Sequence, residues 1–214
     1  MNVSCISTGS SGNAYIINEA DNYVLLDCGV KFEKITHHKD FPKFHKLDFV
    51  FVSHSHGDHN KSIKDFEMAG CKIVSYETLE QRVQKFYVCH WECTTFPVAH
   101  NVPCWGILLK HMVSCETLCY ITDAYAMPKV EKVDTFIYEV NYIDKVIDKM
   151  IERNKEFKHT NFKYHNSLEN AVEYFKSLKR KPKKIYCCHG SKEHSFKKDV
   201  QKQMEQFADE VFVL

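Results

Sequence analysis

No apolar run in this sequence of 214 residues approaches the roughly 18 needed to cross a bilayer, so a membrane-spanning helix is excluded. Neither sign of charge dominates: 29 Lys and Arg against 28 Asp and Glu leave a formal +1, too little for the global basic field of a protein that coats nucleic acid. Any nucleic-acid contact must therefore be local. Arginine is scarce, with three residues among those 29, and the basic character is carried by lysine in a dense run over 176–184 and at Lys192, Lys197, Lys198 and Lys202. Such runs read first as solvated helix faces and second as a phosphate-binding patch. The opening residues lack a basic leader and an apolar signal core, which points to a cytoplasmic protein. Repeats, low-complexity tracts and linkers are also missing, and at this length one domain spanning 1–214 is expected. Ten cysteines are scattered mostly through strand-like segments of a chain large enough not to need staples, so reduced, buried thiols are expected.

What is present is an alternation of short apolar runs with helical spacing, the pattern of α/β layers. Residues 3–7, 14–17 and 23–26 read as strands of two hairpins, the last ending at Asp27-Cys28-Gly29. Phe49-Val50-Phe51-Val52 reads as a buried strand that stops abruptly in Ser53-His54-Ser55-His56-Gly57-Asp58-His59. A helix is expected over 61–69, with Asp58 or Asn60 as its cap, then a strand over 71–75 and a helix over 77–86. Further strands are expected at 94–99, 104–110, 116–122, 134–140, 184–188 and 211–214. Helices are expected over 143–157 with Val146, Ile147, Met150 and Ile151 on one face, over 168–178 capped by Ser167, and over 196–207.

Three histidines and an aspartate within six residues, at a strand end, read as metal ligands. His54, His56, Asp58 and His59 cannot all serve one tetrahedral ion comfortably, but they can serve two ions from alternate sides. His100, Asp123 and His189 stand at three other strand ends and bring the set to seven nitrogen and oxygen donors. That set suits two borderline divalent cations, zinc first and manganese as the alternative. Asp27 is either a turn residue or the acceptor that orients a metal-bound histidine. His165 lies just outside the positive end of the helix over 168–178, as a surface residue or as a group working beside the metals. Cys89-x-x-x-Cys93 and Cys115-x-x-x-Cys119 have half the spacing of a zinc site but no partner pair, and read as core cysteines, with Cys115 opening a strand. Tyr125, Tyr142, Phe162 and Tyr164 lie near these residues in sequence, where they can stack on a base or pack on their own domain.

His54-Ser55-His56-Gly57-Asp58-His59 resembles the H-x-H-x-D-H signature of the metallo-β-lactamase fold. The order of Asp27 in Leu-Leu-Asp-x-Gly, the histidine cluster, His100, Asp123, His165 and His189 extends the resemblance over nearly the whole chain. It implies an α/β protein, a four-layer αββα sandwich of two mixed sheets flanked by helices. It also implies that His54, His56 and His100 hold one metal, that Asp58, His59 and His189 hold the other, and that Asp123 bridges them. An aspartate at 123, where antibiotic-hydrolysing members characteristically have a cysteine, argues against a β-lactamase. His165-Asn166-Ser167-Leu168-Glu169-Asn170-Ala171 is similar to the H-x-S-x-E-x-A element of YycJ/WalJ-type nucleases, and more distantly to the histidine element of RNase Z. In those enzymes that histidine is implicated in protonating the leaving group. The loop over 8–13 and the pair Glu139 and Asn141 look like the same branch, and Ser11, Asn13 and Asn141 are expected to touch substrate. The stretch between Asp123 and His165 is too short for the cap domain of β-CASP relatives, and no glycine-rich arm like that of RNase Z is present. A small or flexible phosphodiester is easier to accommodate than a folded RNA.

The expected activity is therefore hydrolysis of a phosphodiester by a dinuclear-metal enzyme, with Asp58 accepting a proton and His165 donating one. Thioester or lactone hydrolysis on the same metals is one alternative, with His165 incidental. Metal-dependent nucleotide binding without turnover is the other. DNA ends, RNA and cyclic nucleotides are all open as substrates, a homodimer is open as the assembly, and no membrane partner is expected.

Overall fold

The apolar run before the histidines forms β4 (Leu47–Val52), the next-to-edge strand of a five-stranded sheet. The computed structural model describes residues 1–153, 162–190 and 197–214. In that sheet β1 (Asn2–Ser7), β2 (Ala14–Glu19) and β3 (Asn22–Leu26) run antiparallel, while β4 lies parallel to both β3 and β5 (Ile73–Ser75). Five of the six β4 residues are buried, which explains why the strand reads as a continuous apolar run and does not alternate. The second sheet has seven strands: β6 (Gln84–Val88), β7 (Trp91–Val98), β8 (Cys104–His111), β9 (Thr117–Ile121), β10 (Thr135–Glu139), β11 (Lys184–Cys188) and β12 (Glu210–Val213). The first four are antiparallel neighbours and the last four parallel ones.

Between the sheets Tyr15, Leu26, Phe49 and Phe51 meet Trp105, Ile107, Leu109, Tyr120 and Ile137 in one core. Each fully buried Phe or Leu there contributes about 1.5–3 kcal/mol. On the outer face of the smaller sheet, α1 (Phe32–Thr36) and α3 (Ile63–Met68) bury Ile35 and Phe66. On the outer face of the larger sheet, α5 (Leu168–Ser177) and α6 (Lys197–Met204) bury Leu168, Ala171, Phe175, Val200 and Met204. The layers are thus helix, sheet, sheet, helix, as the resemblance implied. β7, β9, β10 and β11 all point the same way, so the loops that follow them open at one end of the sandwich.

Three local expectations are corrected. Residues 77–86 do not form a helix; they make a turn that runs into β6, and Val83, needed on the helix's apolar face, is 65% exposed. Gln84 to Val88 alternate instead, with Phe86 opposite Cys93 and Val88 opposite Trp91, so pairing with β7 overrides a helix-like spacing. Neither Asp58 nor Asn60 caps α3. Both lie in a one-turn helix, α2 (Gly57–Asn60), and Ser62 takes the cap position; the extra turn leaves Asp58 free to face the site. Cys89 and Cys115 are exposed, with φ of 48° and 59°, in the turns before β7 and β9, whereas Cys93 and Cys119 are buried. All ten thiols are free.

Ser167 caps α5 as expected, its Oγ accepting from the Asn170 amide at 3.2 Å. α4 (Asp144–Arg153) covers the start of the helix expected over 143–157. Ile147 is buried on it and Val146 packs toward the core; the side chains of Met150 and Ile151, residues 154–157, and Lys192 and Phe196 of the C-terminal expectations lie outside the described residues.

The lysine run is matched by carboxylates: Arg180 to Asp134 at 2.6 Å, Lys183 to Glu116 at 2.7 Å and Lys184 to Glu210 at 3.5 Å. These pairs lie between α5 and β11 and on β11, not on a helix face as expected, and their carboxylate partners speak against a phosphate patch. Asp134 is the hub, accepting also from the Thr117 hydroxyl at 2.8 Å and amide at 3.1 Å. Burial pushes its carboxyl up, but Thr117, Lys183 and Arg180 outweigh that and hold it below the ordinary 3.8. A carboxyl lowered by folding stabilises above its unfolded value and ceases to do so as pH falls through the folded one. Asp134→Asn is therefore expected to cost about 1–3 kcal/mol at neutral pH, with the difference from wild type shrinking under acid. Urea midpoints at pH 7 and about pH 3 measure it.

Candidate metal centre

The site begins where β3 and β4 end. Asp27 follows β3 in a left-handed conformation, φ 57°, with its carboxylate wholly buried. Oδ1 accepts from the Ser53 amide at 2.8 Å; Oδ2 accepts from His59 Nδ1 at 2.6 Å and the Tyr120 hydroxyl at 2.5 Å. One carboxylate thus ties both sheets together and turns His59 so that Nε2 faces outward from the strand ends. The turn also needs Gly29. A Cβ built there would lie 1.6 Å from the carbonyl oxygen of Asp58, so only glycine lets the two loops touch.

Around Asp123 the donors form two groups. In the first, His56 Nδ1 lies 3.1 Å from His54 Nε2 and 3.3 Å from His100 Nε2, with Asp123 Oδ2 3.6 Å from His54 Nε2. In the second, His189 Nε2 lies 3.3 Å from Asp123 Oδ1 and 3.5 Å from Asp58 Oδ2, and His59 Nε2 is 3.5 Å from Asp123 Oδ2. Asp123 belongs to both. Donors about 2.0–2.1 Å from a tetrahedral ion stand roughly 3.3 Å apart, and the spacings match. His189 Nε2 is buried with no hydrogen-bond partner, an orphan that a cation would satisfy. The far nitrogens are tied back: His100 Nδ1 donates to the Tyr164 carbonyl at 3.1 Å, and His189 Nδ1 is 3.0 Å from Asn141 Nδ2. The donor set therefore fits bound metal.

A third group joins Asp123 and His189 to Glu139 and His165. Glu139, the last residue of β10, is buried, and its Oε1 accepts from His165 Nδ1 at 2.7 Å. Its Oε2 accepts from the amide of Ala124 at 3.0 Å, which fixes the turn carrying Asp123. His165 stacks on His189 with ring centroids 5.3 Å apart. In sequence Glu139 entered only as part of a resemblance, without a role; an acid closing the apolar run Phe136-Ile137-Tyr138 was the available signal. Asn13 and Asn141, expected at the substrate, are buried and directed at the histidines: Asn13 Nδ2 is 3.0 Å from His59 Nε2, and Asn141 Nδ2 also donates to the His189 carbonyl at 2.8 Å. Both amides thus face histidines of the cluster. Ser11 is exposed in the loop before β2.

The protein field sorts these groups by neighbour. Burial, together with His59, drives the His54 imidazolium far below the histidine range. Burial also opposes charge on His59 and His189, but Asp27 and Asp123 lift the first well above it, and Asp123, Asp58 and Glu139 lift the second to about 10. Burial raises Asp123, yet His59 and His189 outweigh it and hold the carboxyl well below its ordinary value. Burial opposes protonation of His165, and Glu139 outweighs that to raise it. Asp27→Asn should weaken metal binding about 10- to 100-fold, since the His59 ring loses its anionic acceptor; competition with a chromophoric chelator reads the change.

No family model and no curated protein matches this sequence. Solved structures do. YhfI from Bacillus subtilis, a metallo-β-lactamase fold protein, aligns with a TM-score of 0.73 and 17% identity over 99% of this chain and 95% of its own. The chain has the metallo-β-lactamase fold. The short form of human tRNase Z aligns at 0.65 with 15% identity, over 100% of this chain and 96% of its own. A diphosphatase of the PhnP family aligns at 0.65 with 13% identity, over 98% and 93%.

Proposed function

We propose that this protein is a dinuclear-metal hydrolase of phosphodiesters. The observation that carries the reading is His165, paired with buried Glu139 and stacked on His189 beside a seven-donor cluster. A tRNase Z and a diphosphatase among the proteins of the same fold support a phosphate ester as the substrate class. His54, His56 and His100 would hold one cation and Asp58, His59 and His189 the other, with Asp123 shared; zinc suits these donors first. When bound, the cations supply Lewis acidity that lowers the pKa of water and neutralises charge on phosphate oxygens. Asp58, a quarter exposed beside the cluster, accepts a proton from the attacking water as its oxygen bonds to phosphorus. The bond from phosphorus to the leaving oxygen then breaks, and His165 passes its proton to that oxygen. Glu139 aims the imidazole and raises its pKa against the burial that opposes the charge.

The test is metal-reconstituted protein against bis-p-nitrophenyl phosphate, labelled oligonucleotides and cyclic mononucleotides, with Asp58→Ala as the blank. Turnover that the blank lacks is expected. Absence of phosphodiester turnover with both metals bound would falsify the reading, and hydrolysis of a thioester or lactone in its place would select that alternative.

A further inference from the structure

Ring contacts continue outward from the metal cluster. Tyr164, immediately before His165, packs its ring edge-on against His100 with centroids 6.2 Å apart, and its carbonyl accepts from His100 Nδ1. Tyr125, two residues after Asp123, follows with centroids 6.0 Å from Tyr164 and planes 58° apart. Its amide donates to the Ala99 carbonyl at 3.1 Å, which anchors the backbone, yet the side chain is 45% exposed. Lys163 places its ammonium 5.5 Å from the Tyr164 ring centroid. A large aromatic left exposed on backbone that follows Asp123 and is bonded to Ala99, next to His100, is poorly explained by packing. Of the four aromatics noted in the sequence, Tyr142 and Phe162 are buried against each other and Ile147, which leaves the exposed Tyr125 and the half-buried Tyr164 as the pair outside that cluster.

We infer that Tyr125 and Tyr164 form a wedge that stacks the unpaired base next to the scissile phosphate, with Lys163 as its cationic rim. This rests on the phosphodiesterase reading and narrows its substrate class to nucleoside phosphodiesters. Stacking tolerates any base, because every base has a π-face, and it needs a base whose face is not already covered by a duplex neighbour. Lys163 adds attraction for a neighbouring phosphate.

The probes are two esters with one leaving group: thymidine 5′-(p-nitrophenyl phosphate) and methyl p-nitrophenyl phosphate. In metal-loaded wild type the ratio of kcat/KM, nucleoside over methyl, is expected to be roughly 5- to 150-fold, the range that stacking of one base provides. Tyr125→Ala should collapse that ratio, mainly through KM for the nucleoside ester, while Tyr125→Phe, which keeps the ring, retains it. Competitive inhibition by thymidine 5′-monophosphate should weaken in parallel. Equal kcat/KM for the two esters in wild type, or an unchanged ratio in Tyr125→Ala, overturns the wedge alone. Turnover of neither ester by protein with both metals bound overturns the phosphodiesterase reading and the wedge with it.

Discussion

His165→Ala is expected to slow cleavage of a phosphodiester with a poor, alkoxide leaving group by about 10²- to 10⁴-fold, the usual contribution of a positioned general acid. The same variant should lose less than about tenfold on a p-nitrophenyl ester, whose leaving group departs without a proton. The contrast matters more than either value. His165 also stacks on His189, so a disturbance of metal binding would depress both substrates alike. Glu139→Gln should follow the same contrast more weakly, because the imidazole keeps a neighbour but loses the anion that holds its proton. Equal losses on both substrates in His165→Ala would assign the residue to binding and remove it from proton transfer.

Gly29→Ala carries the second large effect. The added methyl would fall within 1.6 Å of the Asp58 oxygen and 2.7 Å of the His59 nitrogen, both backbone atoms that no rotamer can move aside. Overpacking of this kind costs about 3 kcal/mol or more, equivalent to a fall of roughly 6–12 °C in Tm for a chain of this size. What yields is the loop carrying Asp58 and His59, and displacement of a reacting group by about 1 Å is worth around 10²-fold in rate. Gly57→Ala is the control, since a Cβ there meets nothing within 4 Å. It should leave Tm almost unchanged. If the two variants melt together, the close approach of the loops is not what the glycine serves.

The histidine cluster was legible in sequence because its density is local: four donors within six residues need no knowledge of the fold. His100, Asp123 and His189 were legible as strand ends, and the sandwich then brings them to the cluster. Ser167 could be placed as a cap from the helical pattern that follows it. Residues 77–86 misled because Leu79, Val83 and Phe86 have helix-like spacing, while the deciding partner, β7, lies beyond them in sequence. Asn13 and Asn141 were placed at the site by sequence, but not against particular histidines. An amide in a loop suits a ligand or a neighbouring ring equally well, and only burial against His59 and His189 separates the two. Glu139 was beyond reach as an actor, because its importance comes from four polar groups supplied by three separate segments.

The donors divide by sheet. His54, His56, Asp58 and His59 follow a strand of the smaller sheet, whereas His100, Asp123 and His189 follow strands of the larger one. A cation held by both sets acts as a rivet across the sandwich, and loading becomes part of folding. A ligand at about 100 times its Kd adds roughly 2.7 kcal/mol to the native state. Stripping the metals should therefore lower the denaturation midpoint of the whole sandwich and not merely loosen one loop, making metal supply a determinant of how much folded protein exists.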